Sequence, residues 1–266
     1  MNSDRHLKEL LPEKPSELKR NLSIFLLISI IYASGSFTNF SLSKLLGNLK
    51  EGADLLDRMF FPPDFAYAKR LLLPMLETIQ ISFVGTVIGS FFAIPIAVFS
   101  ARNISANKSV GVFFRLFLNL FRTIPALVFA AFFASVFGFG SFSGMMALLV
   151  FTIGLVAKLT YEAIENIDPG PLEALTAAGA GQGAIFRYAI VPQVLPQFLS
   201  YVLYSFEINI RASAVLGYVG AGGIGEYYDR TLSFLKYDKA GTIVLLTFFV
   251  ILAIDLISAR LRARLI

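Results

Sequence analysis

The sequence predicts an all-α polytopic membrane protein, and three observations carry that prediction. Of the 266 residues, 56% are hydrophobic and only 15% charged, with a mean hydropathy of +0.70, whereas soluble domains run at about 45–50% apolar and about 25% charged. Uncharged apolar runs recur along the chain, and about 20 such residues cross about 30 Å of hydrocarbon as a helix. There is no cysteine and one histidine, His6, in a polar N-terminal stretch. Disulfides, thiolate nucleophiles, zinc–thiolate sites, His-based triads and two-His metal sites are thereby excluded.

Taken in order, residues 1–20 form a basic tail and 21–40 a charge-free first span. The small residues Ala33, Ser34 and Gly35 would also suit a cleaved signal peptide, but the run is long for one, and a retained helix is expected. The second span is 81–101, with 71–80 leading into it. Between Arg122 and Lys158 lie 35 uncharged residues, which as one helix would measure about 52 Å, too long for one crossing. Gly138-Phe139-Gly140-Ser141 supplies a break, giving a third span at 112–137 and a fourth at 142–163. A fifth follows from the 19 uncharged residues between Arg187 and Glu207, and a sixth starts from 240–254. The expected count is therefore six.

Lys and Arg set the orientation. With the N-terminus inside, thirteen fall in cytoplasmic segments and eight outside, while Arg122 and Arg211 fall within spans. Both termini are expected to be cytoplasmic. The net charge of +5 is then a topology signal, and nucleic acid is discarded as a partner. Between the first two spans, residues 41–70 form an external segment. Leu42, Leu45, Leu46, Leu49, Leu55, Leu56 and Met59 recur at helical spacing opposite Lys44, Lys50, Glu51, Asp54 and Asp57, an amphipathic helix for the membrane surface or the bundle. Phe60-Phe61-Pro62-Pro63-Asp64 ends it.

The most informative stretch is 162–193, because a minimal connection between spans needs only a few residues. Asp168 is placed to cap a helix whose first position is Pro169. Gly170 and Pro171 prolong a rigid start, and 172–178 reads as a short Ala-rich helix with Glu173 in its first turn. Gly179 breaks it, and Gly181 and Gly183 allow a sharp turn. A second short helix through 185–188 leads to Val191-Pro192 and the fifth span. Two short helices coupled to two spans suit a lever pressed from the cytoplasm.

Here the chain resembles the permease subunits of binding-protein-dependent ABC importers. Their signature is a cytoplasmic Glu-Ala-Ala loop with a Gly six residues after the Glu and a Pro nineteen after it. Glu173-Ala174, Gly179 and Pro192 keep that spacing, while Leu175 replaces the second Ala and Val191 the usual Leu. Phe60-Phe61-Pro62-Pro63-Asp64-Phe65, Ile167-Asp168-Pro169-Gly170-Pro171-Leu172-Glu173-Ala174 and the run from Arg211-Ala212-Ser213-Ala214 to Gly225 narrow the resemblance to phosphonate permeases. The resemblance spans about residues 55–264. It implies a methionine-permease-like core within 71–264, two copies of the permease in a bacterial cell membrane, two cytoplasmic ATPase subunits and an extracytoplasmic substrate-binding protein. ATP and Mg would belong to the ATPase, with no cofactor in this chain. Pro169, Gly170, Glu173, Ala174, Ala177, Gly179 and Pro192 would form or flank a coupling helix seated in the ATPase.

Gly220-Ala221-Gly222-Gly223-Ile224-Gly225 fits G-x-G-x-x-G, but only about fourteen residues separate it from the last span, so no βαβ unit fits. These glycines suit a gate or external turn where backbones approach closely. No G-x-x-x-x-G-K-[ST] loop is present, so the energy is expected from a partner. Gly85 and Gly89 make a G-x-x-x-G packing pattern, within one chain or between two. Ionisable residues in spans are functional candidates. Arg122 lies roughly 10 Å into the third span, either snorkelling or touching substrate. Glu207 and Arg211 sit at i and i+4 and can pair, with Asn209 and Ser213 beside them on a path toward Gly220, Gly222 and Gly223. That pair is either self-neutralising or opened by an anion that competes for Arg211. Glu77 and Asp255 are expected to be solvated near membrane edges. The resulting expectation is an importer permease for phosphonate or a related phosphorus oxyanion. Its rivals are a permease for phosphite, phosphate or an amino acid such as methionine, an ATP-independent transporter or channel, and a membrane-embedded enzyme.

Overall fold

The computed structural model describes residues 16–104 and 108–265; His6 and most of the basic tail lie outside them. Among the described residues every regular element is a helix. The chain divides into two compact units, 1–56 and 57–266. In the first, α1 (Glu17–Phe37) is capped by Ser16, whose hydroxyl accepts from the Lys19 N–H, and buries none of its residues. A helix apolar on all sides suits lipid rather than a protein core. Next come α2 (Leu42–Gly47), capped by Ser41, and α3 (Leu49–Phe60), which crosses the boundary between the units. The amphipathic segment is thus two helices broken at Asn48, with Leu45, Leu46, Leu49 and Leu56 exposed.

The second unit opens with α4 (Phe65–Ser100), 36 residues long with Pro74 and Pro95 inside it. The Asp64 carboxylate caps it by accepting from Tyr67 N–H at 2.9 Å. Both the second span and its lead-in therefore belong to one rod of about 54 Å. Then come α5 (Lys108–Thr123) and α6 (Ala126–Phe137), bent by 89° at the break between them. The expected third span is corrected here: it is two helices, not one. Pro125 has no N–H to donate and disfavours helix at Ile124, and a count of uncharged residues is blind to that. α7 (Ser141–Glu165) follows. α8 (Pro169–Ala177), α9 (Gln182–Ile185) and a π-helical turn (Phe186–Ile190) lead into α10 (Val191–Leu216). A 3-10 turn (Gly217–Val219), α11 (Ile224–Ser233) and α12 (Tyr237–Arg262) complete the chain.

Four described helices, α1, α4, α7 and α12, are long and apolar enough to cross a membrane, and the count is five if the bent pair α5–α6 is one span. At 26 residues α10 has the length, but Gln193, Gln197, Glu207, Asn209 and Arg211 lower its hydropathy. The membrane protein class and the all-α fold stand.

The core of this unit is the crossing of α4 on α7. A Cβ on Gly89 would lie 2.7 Å from the Leu149 carbonyl oxygen, and one on Gly85 would lie 3.1 Å from Leu148 Cβ. The G-x-x-x-G pattern thus seats one helix of this chain on another. Apolar clusters flank the crossing. Toward the α8 end are Leu118, Val156, Ile164, Ile190 and Val194, and toward the other lie Leu71, Met75, Ile210, Ile224 and Ile243.

Candidate functional site

Two regions collect the residues singled out in the sequence. The first is the loop around α8. Asp168 caps it through the Gly170 N–H at 2.9 Å, with Pro169 at its first position. Because the helix begins at Pro169, Glu173 stands in its second turn; the expected first-turn placement, and the dipole argument with it, is corrected. Leu172 and Leu175 pack inward on the apolar cluster that includes Ile185, Ala189 and Ile190. Glu173, Ala174 and Ala177 are exposed, so the outer face is small side chains and one carboxylate. Gly179 takes φ +75°, and Ala180 N–H donates to the Leu175 carbonyl at 3.0 Å. That is the left-handed stop in which only glycine is unstrained.

The second short helix is Gln182–Ile185, three residues earlier than expected, and the π turn continues it into α10. Pro192 lies in the first turn of α10. Beside it Gln193 does what sequence reasoning missed. Its Oε1 accepts from Asp168 N–H at 2.9 Å while its Nε2 donates to the Ala189 carbonyl at 2.8 Å. The loop's start is thereby tied to the root of α10. A second tie, also missed, joins α5 to the end of α7. Arg115 donates to the Ser100 carbonyl and pairs with Glu165, which also accepts from Arg102 N–H at 2.8 Å.

The second region follows α10. Asn209 is fully buried, and its Nδ2 donates to Thr86 Oγ1 at 2.7 Å and Thr152 Oγ1 at 2.8 Å. That node links α10 with both helices of the crossing. Ser205, Ser213 and the i+4 ladder Thr78, Ser82, Thr86 and Ser90 are buried near or along it. The spacing of that ladder was legible; its partners were not. Glu207 is only 7% exposed, and its nearest cation is Arg262 of α12 at 2.8 Å, with Arg211 at 4.0 Å. Arg211, 53% exposed, lies 3.5 Å from Asp255. The expected i, i+4 pair is thus one edge of a four-membered cluster between α10 and α12. Asp255, expected to be solvated, is 39% exposed and is also a member of it. Glu77 is likewise corrected: it accepts a hydrogen bond from Ser141 and lies under Gly222.

Arg122 stands apart from this region. It sits in the last turn of α5, exposed, with its stem over Gly154 of α7. Its expected place inside a straight span goes with the correction at Pro125. Gly220, Gly222 and Gly223 all take positive φ in a turn wedged onto α4 and the α6–α7 break. Gly140 N–H donates to the Gly220 carbonyl at 2.7 Å and Ile224 N–H to Thr78 Oγ1 at 2.8 Å. The segment before them is helix and 3-10 turn rather than strand.

Residues 93–266 match the family described as the binding-protein-dependent transport system inner membrane component. A putative phosphite transport system permease protein of Stutzerimonas stutzeri is 39% identical over 202 residues, 76% of this chain and 72% of that protein. A phosphate-import permease protein of Mycolicibacterium smegmatis is 36% identical over 206 residues, 77% of this chain and 39% of that protein. A putative cryptic phosphonate transport system permease protein of Escherichia coli is 39% identical over 118 residues, 44% of this chain and 97% of that protein. Among solved structures, the inward-facing MetNI methionine ABC transporter is similar with a TM-score of 0.65 and 22% identity, covering 74% of this chain and 96% of that one.

Proposed function

We propose that this chain, which belongs to the family of binding-protein-dependent transport system inner membrane components, is the permease through which an ATP-driven importer moves a phosphorus oxyanion. The fold is that of an ABC importer permease, and the protein is a multi-pass inner-membrane subunit. Relatives named for phosphite, phosphate and phosphonate transport support the substrate class. The likeness to a methionine transporter, at 22% identity, speaks for the fold and not for the cargo.

The observation that carries the reading is α8. It turns Leu172 and Leu175 into the core and presents Glu173, Ala174 and Ala177 outward, a shallow, nearly uncharged ridge for a groove on another protein. In this reading the ridge is cytoplasmic and seats in the partner ATPase, two ATPases serve two copies of the permease, and a binding protein delivers the anion outside. Both termini are cytoplasmic and lipid surrounds the apolar outer faces. The permease supplies path and lever, and the ATPase binds ATP and Mg.

A pull-down from detergent-solubilised membranes tests the coupling, comparing wild type with Gly179→Trp and Glu173→Arg. A Cβ on Gly179 meets nothing within 4 Å, so the strain of a substitution at φ +75° stays in the loop, and Glu173 is exposed; both variants are expected to keep the bundle. Copurification of an ATPase that both substitutions abolish is the expected result, together with uptake of phosphite, phosphate or methylphosphonate by the wild type. An ATPase that never copurifies, or that stays bound to both variants, overturns the reading.

A further inference from the structure

We propose that the exposed face of α10 bearing Tyr204 and Arg211, continued by Tyr218 in the 3-10 turn, is the face along which the anion passes, with Arg211 as its contact. Asp255 is then the carboxylate that holds Arg211 between anions. The inference rests on the importer function proposed above and names the residues that would recognise its cargo.

The three side chains stand seven residues apart. Seven residues are two helical turns, about 10 Å, and drift by only about 20° around the axis. Tyr204 is 46% and Tyr218 50% exposed, so one stripe carries a hydroxyl, a guanidinium and a second hydroxyl, all hydrogen-bond donors. Lipid is a poor neighbour for it, since a charged side chain facing the bilayer centre costs at least about 2.5 kcal/mol. Nor does Arg211 stretch toward a helix end: it lies against α12, beside Asp255.

The distances within the cluster say which cation is available. Arg262 sits 2.8 Å from Glu207 and answers that buried charge. Arg211 is left 4.0 Å from Glu207 and 3.5 Å from an Asp255 that is itself 39% exposed. Its planar fork of N–H donors matches two oxygens of a phosphoryl or phosphite group. Two acids and two bases sum to zero, so the anion meets one loosely held guanidinium rather than a deep positive well. Transport needs that balance, because a site that binds too tightly does not release.

The test measures uptake of labelled phosphite, phosphate and methylphosphonate by cells expressing the complete importer, with the amount of folded permease checked by size exclusion. Arg211→Gln is expected to cut uptake about a hundredfold and Arg211→Lys to raise KM about tenfold, since lysine keeps the charge but loses the fork. Asp255→Asn is expected to lower KM by freeing Arg211, and Tyr204→Phe to raise it a few-fold. The double variant Arg211→Gln/Asp255→Asn separates contact from scaffolding, because it removes the unpaired carboxylate and stays inactive only if Arg211 touches the anion. Uptake by Arg211→Gln within about twofold of wild type, or recovery in the double variant, overturns the assignment while the importer function stands. A wild type that moves none of phosphite, phosphate and methylphosphonate overturns both.

Discussion

Gly89→Ala probes how α4 meets α7. A Cβ there would lie 2.7 Å from the Leu149 carbonyl oxygen and from Thr152 Cβ, against 3.4 Å for ordinary contact, so the two helices have to part by about 0.7 Å. The obstacle is partly backbone and has no rotamer into which to retreat. The same movement stretches the Asn209 bonds to α4 and α7, now 2.7 and 2.8 Å, which share the added distance or lose one of the pair. Overpacking costs about 1–3 kcal/mol, and one lost intramembrane hydrogen bond adds about 0.6 kcal/mol. The sum is about 2–4 kcal/mol, or about 4–16 °C in Tm for a unit of this size. Gly85→Ala is the control, because its nearest contacts are 3.1 Å, and it is expected to lose less than half as much. The chain has no tryptophan, so unfolding is followed in detergent by circular dichroism at 222 nm. Equal losses for the two variants, or a Gly89→Ala shift under about 2 °C, would refute the packing argument.

Gln193→Ala removes three hydrogen bonds that tie Asp168 and Ala189 together, the two short ones worth about 1 kcal/mol each. Amide exchange across 168–178 is expected to quicken about tenfold to thirtyfold while the interior of α10 stays protected; uniform quickening along α10 would show that Gln193 stabilises the bundle rather than the loop. At Gly179 the strain is in the backbone alone, since φ is +75° and the space is open. Transport is expected to fall in the order Gly, Asn, Ala, Val, following the cost of the left-handed conformation, about 1–2 kcal/mol for a residue with a Cβ. Equal transport by Asn and Val would dissociate the turn from function.

The loop was legible because its determinants are local. Asp168 before Pro169, and glycine at a helix stop, act within four residues of themselves and read directly as cap and left-handed turn. The bend at Pro125 was legible too, but a search for uncharged runs gives proline no weight, and the break was placed only at Gly138–Ser141. Glu173 shows the limit of local reading. Pro169 reads as the first helical position, which the structure bears out, but Glu173 is then the fifth residue of the helix and past its first turn. The charge cluster was half legible. Glu207 and Arg211 announce each other at i and i+4, but Arg262 and Asp255 reach them across more than forty residues of sequence, where only the packing of α10 on α12 decides the pairing. Hence the charged residues were found and their partners were not.

That pairing bears on how a push at α8 reaches the anion. Leu172 and Leu175 are seated in the same cluster as Ile185, Ala189 and Ile190, and Gln193 closes the loop onto the root of α10. A force on the outer face of α8 therefore has little slack to take up before it moves α10. From Val191 to Leu216 α10 is one continuous helix, about 39 Å long, and a packed helix shifts as a body by about 1–2 Å in switching transitions. Around Asn209 it is held to α4 and α7 by the hydroxyls of Thr86 and Thr152 as well as by apolar contacts such as Phe206 on Phe83. A shift of that size against α12 takes Arg211 from 3.5 Å out of ion-pair range of Asp255, or into closer contact with it. The proposed lever and the proposed anion contact thus lie at the two ends of one helix. Substitutions that loosen the α8 end are expected to change transport rate, while substitutions at Arg211 change which anion is carried and how tightly. Separate effects on rate and KM from the two ends would bear this out, and identical kinetic signatures would not.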